Sequence, residues 1–168
     1  AQELLTDEYS HGLRSALERN AGKLRGILNG IDYDYYNPAN SEELAAPYSW
    51  DHPEGKSENR AALRRAVGLP EREEAPLLAV VSRLASHKGC IGDIVTGQDA
   101  QLVVLGRGEE RYERFFAELE RRYPDRVRAM LTYDRALSKR IYAAADIFLM
   151  PSRSEPCGLS QMIASRYG

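Results

Sequence analysis

Four short apolar runs, interleaved with helix-patterned segments, constrain the fold of this chain more than any other feature. They are LLAVV (77–81), QLVVLG (101–106), VRAML (127–131) and IFLM (147–150). A continuous apolar run of this length suits a strand buried on both faces. After the second run, Tyr112, Phe115, Phe116, Leu119 and Tyr123 recur at helical spacing. After the third, Leu137, Ile141 and Ala144 fall on one face of RALSKRIYAAAD. After the fourth, LSQMIASRYG opens another helix. Strands and helices alternating at these lengths predict parallel pairing through right-handed crossovers. The expected class is α/β, a doubly wound parallel sheet over residues 76–168.

The first 75 residues lack that alternation. Thr6 and Asp7 are expected to cap a short helix lined by Leu13, Ala16 and Leu17. Ile27 and Leu28 run into Asn29-Gly30, a turn signal. From 38 to 55 the composition is that of a loop, with Pro38, Pro47 and Pro53. SENRAALRRAVGLP reads as a helix capped by Ser57 and stopped at Gly68 and Pro70. One crossover looks short. Only CIGDIVTGQD lies between Gly89 and Ala100, where a crossover with its helix needs roughly ten to twelve residues. Residues are therefore expected to be missing near Cys90, with a chain gap at about 89–91.

Composition narrows the function classes. Hydrophobic residues make 43%, charged residues 29%, and the net charge is −2, which is not a nucleic-acid-binding balance. No apolar run reaches membrane-spanning length, and no signal-peptide pattern opens the chain. A soluble intracellular protein is expected. Cys90 and Cys157 follow no metal spacing and no disulfide framework. With His11, His52 and His87 scattered, no metal site is expected.

In an open parallel sheet, ligands bind outside the carboxyl ends of the strands. Those ends are followed by SRLASHKG, GRGEE, TYD and PSRSEPCGLSQ. Arg83 and Lys88 share the first of these segments. They are either two solvated cations or a diphosphate clamp, Arg binding bidentately and Lys as a point charge. Gly106 and Gly108 make a lone G-x-G. That is either a close approach to a ligand or an ordinary strand-to-helix turn. Tyr133 sits where a nucleobase would stack. Glu155 precedes a helix start able to seat a phosphate, where Gly158 admits close backbone approach. Its carboxylate either caps that helix or accepts hydrogen bonds from sugar hydroxyls.

In this order the segments resemble the bacterial glycogen synthase and plant starch synthase family. KLRGILNGIDYDYYNP is similar to that family's approach to its second lobe, and VVSRLASHKG to its SRL…QKG element. LVVLGRG resembles its glycine turn. TYDRALSKRIYAAADIFLMPSRSEPCGLSQMIASRYG resembles its longest signature, of which PSR-x-EPCGL-x-Q is the most specific part. The resemblance implies the two-lobed GT-B glycosyltransferase fold. Residues 1–28 would be the tail of the N-terminal lobe, 29–75 the interlobe connection and helix, and 76–168 an incomplete Rossmann-like nucleotide-sugar lobe.

It also implies a reaction: glucose passes from ADP-glucose to the non-reducing end of an α-1,4-glucan, glycogen or starch, with retained configuration. Arg83 and Lys88 would hold the diphosphate and stabilise the departing ADP. Tyr133 would stack on adenine and Glu155 would touch the donor sugar. Gly106 and the backbone of Cys157, Gly158 and Leu159 would line the donor pocket. Asn29 would lie near the acceptor. No cofactor, metal, nucleic acid or membrane is implied. The location would be the bacterial cytoplasm, or the plastid in a plant.

The chain departs from the family at Thr132, Lys139 and Ser154, where Gly, His and an aromatic are usual. Many retaining relatives carry a second acid eight positions after the first. Here that position is Ile163, which argues against a UDP-sugar donor. The family's lysine- and glycine-rich motif and its TGGL loop are not found in the sequence. A chain of only these residues is therefore expected to show little synthase activity. The alternatives are a GT-B transferase using a UDP-sugar and a non-catalytic nucleotide-binding module.

Overall fold

All four apolar runs form strands of one sheet. The structure, a computed structural model, describes residues 3–85, 97–152, 155 and 157–168. The strands are β1 (Leu77–Val81), β2 (Gln101–Leu105), β3 (Val127–Met130) and β4 (Ile147–Phe148). Every pairing is parallel and the order is β3-β2-β1-β4. Leu78 stands opposite both Leu102 and Ile147, and Leu102 stands opposite Val127. The helices are α1 (Arg14–Arg19), α2 (Gly55–Val67), α3 (Glu110–Arg122), α4 (Arg135–Ala144) and α5 (Leu159–Tyr167).

Strand side chains alternate between faces, so the central strands feed two cores. Leu78 and Val80 of β1 and Leu102 and Val104 of β2 pack with Phe116 and Leu119 of α3. Leu77, Ala79, Val103 and Leu105 pack with Leu63 of α2 and with Ile141 and Ala144 of α4. Burial on both faces is why these strands read as continuous apolar runs. The predicted α3 stripe is narrower in the structure: Phe116 and Leu119 are buried, but Phe115 is 40% exposed. Asp134 starts α4, its carboxylate accepting the N–H of Leu137 at 2.9 Å.

Several expectations are corrected. The first helix starts at Arg14, after a turn, and buries no side chain, so Thr6 and Asp7 do not cap it. His11 lies in that turn at a positive φ of 49°, outside any helix. Helix α2 starts at Gly55, and Ser57 is inside it. The Ser57 hydroxyl donates back to the carbonyl of Glu54 at 2.9 Å. Strand β4 spans only Ile147 and Phe148, half of the apolar run. The gap expected near 89–91 lies outside the described residues.

The loop-like stretch before α2 is fastened to the sheet layers by a third cluster: Tyr48, Tyr142, Ala143, Ile163 and Tyr167. Tyr48 donates its hydroxyl to the carbonyl of Tyr167 at 2.7 Å. Asn59, buried in α2, donates to the carbonyls of Ala46 and Gly55 at 2.7 and 2.8 Å. It also accepts the N–H of Ala45 at 2.9 Å. Lys139 of α4 is 5% exposed and donates to Glu43 at 3.0 Å. Its ammonium also sits 3.9 Å from the centre of the Tyr35 ring, a cation–π contact.

Candidate functional site

Strand order places the site. From β1 the sheet grows outward through β2 to β3, and then β4 is laid on the other side of β1. The order therefore reverses between β1 and β4. Outside the carboxyl ends of strands at such a reversal, two connections separate and leave a crevice for a ligand. Here the crevice is bounded by Val81 and Ser82 after β1, by Leu149 to Ser152 after β4, and by Glu155 and Ser160. All four predicted strand-end segments leave this one carboxyl edge, because every pairing is parallel: Arg83 follows β1, Gly106 β2, Tyr133 β3 and Glu155 β4.

Arg83 is exposed and follows Ser82, a residue of the crevice wall. Its backbone is held by the glycine turn beside it. Leu84 donates its N–H to the Arg107 carbonyl at 2.9 Å, and Glu109 donates its own to Leu84 at 2.8 Å. A Cβ on Gly106 would stand 1.9 Å from the Ser82 carbonyl oxygen, and one on Gly108 1.8 Å from that of Leu84. The G-x-G thus makes room for the 82–84 backbone, and the strand-to-helix turn is the alternative realised. Lys88, the proposed second cation, lies outside the described residues.

Glu155 works locally as a cap. Its carboxylate accepts the N–H of Gly158 at 3.4 Å and the hydroxyl of Ser152 at 3.2 Å. One carboxylate oxygen thus meets the start of α5 and the other meets Ser152 beyond β4. Gly158 occupies the left-handed region at φ 67°, which a glycine adopts at no steric cost. Leu159 is the first residue of α5 and half-exposed, and Cys157 is exposed with a free thiol. Two side chains anchor this helix start. Ser160 donates to the carbonyl of Val81 at 3.1 Å, tying α5 to the end of β1. Asn29 donates its amide to the carbonyl of Cys157 at 3.3 Å. The structure thus brings Asn29 to the approach to α5 across 128 positions of sequence.

Tyr133 lies just beyond β3, on the same carboxyl edge but two strands from the reversal. It is 78% exposed, and its phenol oxygen accepts from Arg135 at 3.0 Å. The ring is available at the rim and is not packed into the crevice. Ile163 is 7% exposed within the third cluster, among Tyr48 and Tyr142. A carboxylate there would lose its hydration among aromatic rings.

Sequence reading gave no structural role to three residues that fasten these elements together: Ser160, Lys139 and Lys56. Ser160 and Lys139 give no pattern signal, because their partners Val81 and Glu43 lie 79 and 96 positions away. Lys56 is half-buried beneath α5, and that desolvation lowers its pKa. It donates to the carbonyls of Ala143 and Tyr167 at 3.4 and 3.5 Å. Burial pushes the phenols of Tyr142 and Tyr167 up to about 12, so both stay neutral in this layer. Among the described residues, no group of three His, Cys, Asp or Glu could hold a metal ion, and no helix is long and apolar enough to cross a membrane.

Known proteins share this arrangement. The family described as "Glycosyl transferases group 1" matches residues 64–168. The chain is 46% identical over 175 positions to a glycogen synthase of Streptococcus mutans, covering 100% of the chain and 36% of the relative. It is 47% identical over 173 positions to a glycogen synthase of Moorella thermoacetica, covering 100% of the chain and 35% of the relative. Both alignments exceed the 168 residues here, so these relatives carry residues with no counterpart in this chain. Among solved structures, the catalytic domain of starch synthase IV from Arabidopsis thaliana, bound to ADP and acarbose, matches with a TM-score of 0.88 and 41% identity. That match covers 99% of this chain and 36% of the solved one. The chain therefore spans about a third of the length of these relatives.

Proposed function

The chain belongs to the glycosyl transferases of group 1, and we propose that within that family it forms the nucleotide-sugar-binding part of an α-1,4-glucan synthase. Glucose passes from ADP-glucose to the non-reducing end of glycogen or starch, with retained configuration. One observation carries the reading: at the reversal of strand order the end of β1, Val81 and Ser82, lines one crevice with Glu155 and Ser160, and Arg83 is the residue after Ser82. The names of the relatives, and the ADP and acarbose of the starch synthase, support it.

Each residue has a task in this reading. Departure of ADP builds negative charge on the diphosphate. Arg83, with Lys88, stabilises that charge more in the transition state than in the ground state, and this lowers the barrier. The start of α5 adds backbone N–H groups and the positive end of its dipole. Glu155 hydrogen-bonds the donor sugar and orients it, and no glycosyl–enzyme bond forms. Tyr133 covers the adenine. These groups meet the charge without a metal or cofactor.

Calorimetric titration of the 168-residue chain tests the proposal. ADP is expected to bind, UDP to bind more weakly, and Arg83→Ala to weaken ADP by about tenfold or more, the worth of one charge-assisted contact. Equal affinity for ADP and UDP would favour the UDP-sugar alternative. Absence of ADP binding, or full affinity in Arg83→Ala, would overturn the assignment.

A further inference from the structure

The geometry points to Asn29 as a positioning residue: its side-chain amide holds the donor loop in its binding shape by donating to the carbonyl of Cys157. The inference rests on the donor-site reading above and deepens it.

Asn29 precedes the connector that leads into α2, and its amide nitrogen lies 3.3 Å from the Cys157 carbonyl oxygen. Cys157 and Gly158 form the last link between Glu155 and the first turn of α5. Within the chain's own turn, Glu155 accepts the Gly158 N–H at 3.4 Å and Met162 donates to the Gly158 carbonyl at 3.1 Å; Asn29 adds the bond to the Cys157 carbonyl from a distant segment. Cys157 is exposed, and the left-handed backbone of Gly158 is of the sort a glycine leaves readily. The first turn of α5 is separately fixed, because Ser160 is bonded to Val81. The two bonds divide the work. Ser160 sets where the helix lies, and Asn29 sets which way the Cys157–Gly158 peptide faces.

That orientation matters chemically. When the Cys157 carbonyl turns toward Asn29, the N–H of Gly158 points the opposite way, because the two belong to one planar peptide. In the structure this N–H faces the Glu155 carboxylate at 3.4 Å, on the side where a donor's oxygens would lie. A freed peptide can rotate and present its carbonyl there, and a carbonyl repels a diphosphate. Asn29 therefore acts on the donor through the loop. It suits the task because its amide donates, whereas an aspartate of the same shape only accepts.

The test uses Asn29→Ala and Asn29→Asp in the 168-residue chain, with ADP titration, thermal melting and the carbonyl carbon resonance of selectively labelled Cys157. Both variants are expected to shift that resonance and to weaken ADP by about fivefold, the worth of one exposed hydrogen bond. Their melting midpoints are expected to stay with the parent's, since the bond is exposed and α5 keeps its Ser160 anchor. An unmoved Cys157 resonance, or parental ADP affinity in Asn29→Asp, would overturn the inference. Should the unsubstituted chain fail to bind ADP, the donor-site reading falls, while the resonance still decides whether Asn29 holds the loop.

Discussion

Gly106→Ala tests the chain of cause from sheet packing to ligand. The added Cβ would stand 1.9 Å from the Ser82 carbonyl oxygen, and ordinary contact starts near 3.4 Å. The obstacle is backbone, so no rotamer relieves it. The Ser82 peptide must retreat by about 1.5 Å or β2 must bend away. Retreat strains the bond from the Ser82 N–H to Leu105, 3.1 Å long in the structure. Overpacking of about 2 kcal/mol and a lost hydrogen bond of about 1 kcal/mol total about 3 kcal/mol. For a chain of this size that lowers the melting midpoint by roughly 10 °C. Arg83 is the next residue and moves with Ser82. A bidentate contact tolerates little displacement, so ADP affinity is expected to fall by about tenfold, or about 1.4 kcal/mol. Circular dichroism melting and calorimetry read the two effects. Gly22→Ala is the control, because nothing lies within 4 Å of its Cβ position. A Gly106→Ala chain that melts with the parent would refute the packing argument. One that melts early yet binds ADP with parental affinity would refute the link to Arg83.

Two further perturbations probe the connector. Asn59→Ala strands the buried carbonyl and N–H of Ala46, and is expected to cost about 3 kcal/mol by urea denaturation; a loss under about 1 kcal/mol would contradict the role given to Asn59. Glu43 is held at about 2, below the ordinary 4.5, by the Ser41 hydroxyl and then by Lys139. Its folded-state value is depressed, so its stabilising contribution is complete above the ordinary carboxylate value. That contribution drains away as pH falls from about 4.5 toward 2. Glu43→Gln should flatten the acid limb of a stability–pH curve in that window, and an unchanged limb would count against the Lys139–Glu43 bond.

Much of the sheet was legible because its physics is local. A strand buried on both faces has to be apolar at consecutive positions, and 77–81 and 102–105 are. Helices α3 and α4 announced themselves through spacing. Boundaries were less clear: Ser57 looked like a cap because serine often is one, but Pro53 and Glu54 had already opened the turn, and the hydroxyl points back to Glu54. At the carboxyl edge, Glu155 lines the crevice beside Val81 and Ser82, Arg83 follows Ser82 in the chain, and Asn29 reaches the Cys157 carbonyl. The reason for Gly106 was not legible, since the backbone it must clear belongs to Ser82 on the neighbouring strand. The difference at Lys139 looked peripheral in sequence, yet the residue is buried and bonded to the connector. Partners some eighty to 130 positions apart leave no periodic trace.

Helix α5 is bolted to the connector at both ends, by Asn29 at its start and by Tyr48 and Lys56 at its finish. The mechanical result is a single stiff lever. To slide the connector along the helix, these bonds must break together, along with the packing of Tyr48 against Ile163 and Tyr167. Residues 24–28, by contrast, carry no helix or strand, and Ile27 and Leu28 stand in solvent. A bend in the chain there would leave the bonds from Asn29, Tyr48 and Lys56 to α5 in place.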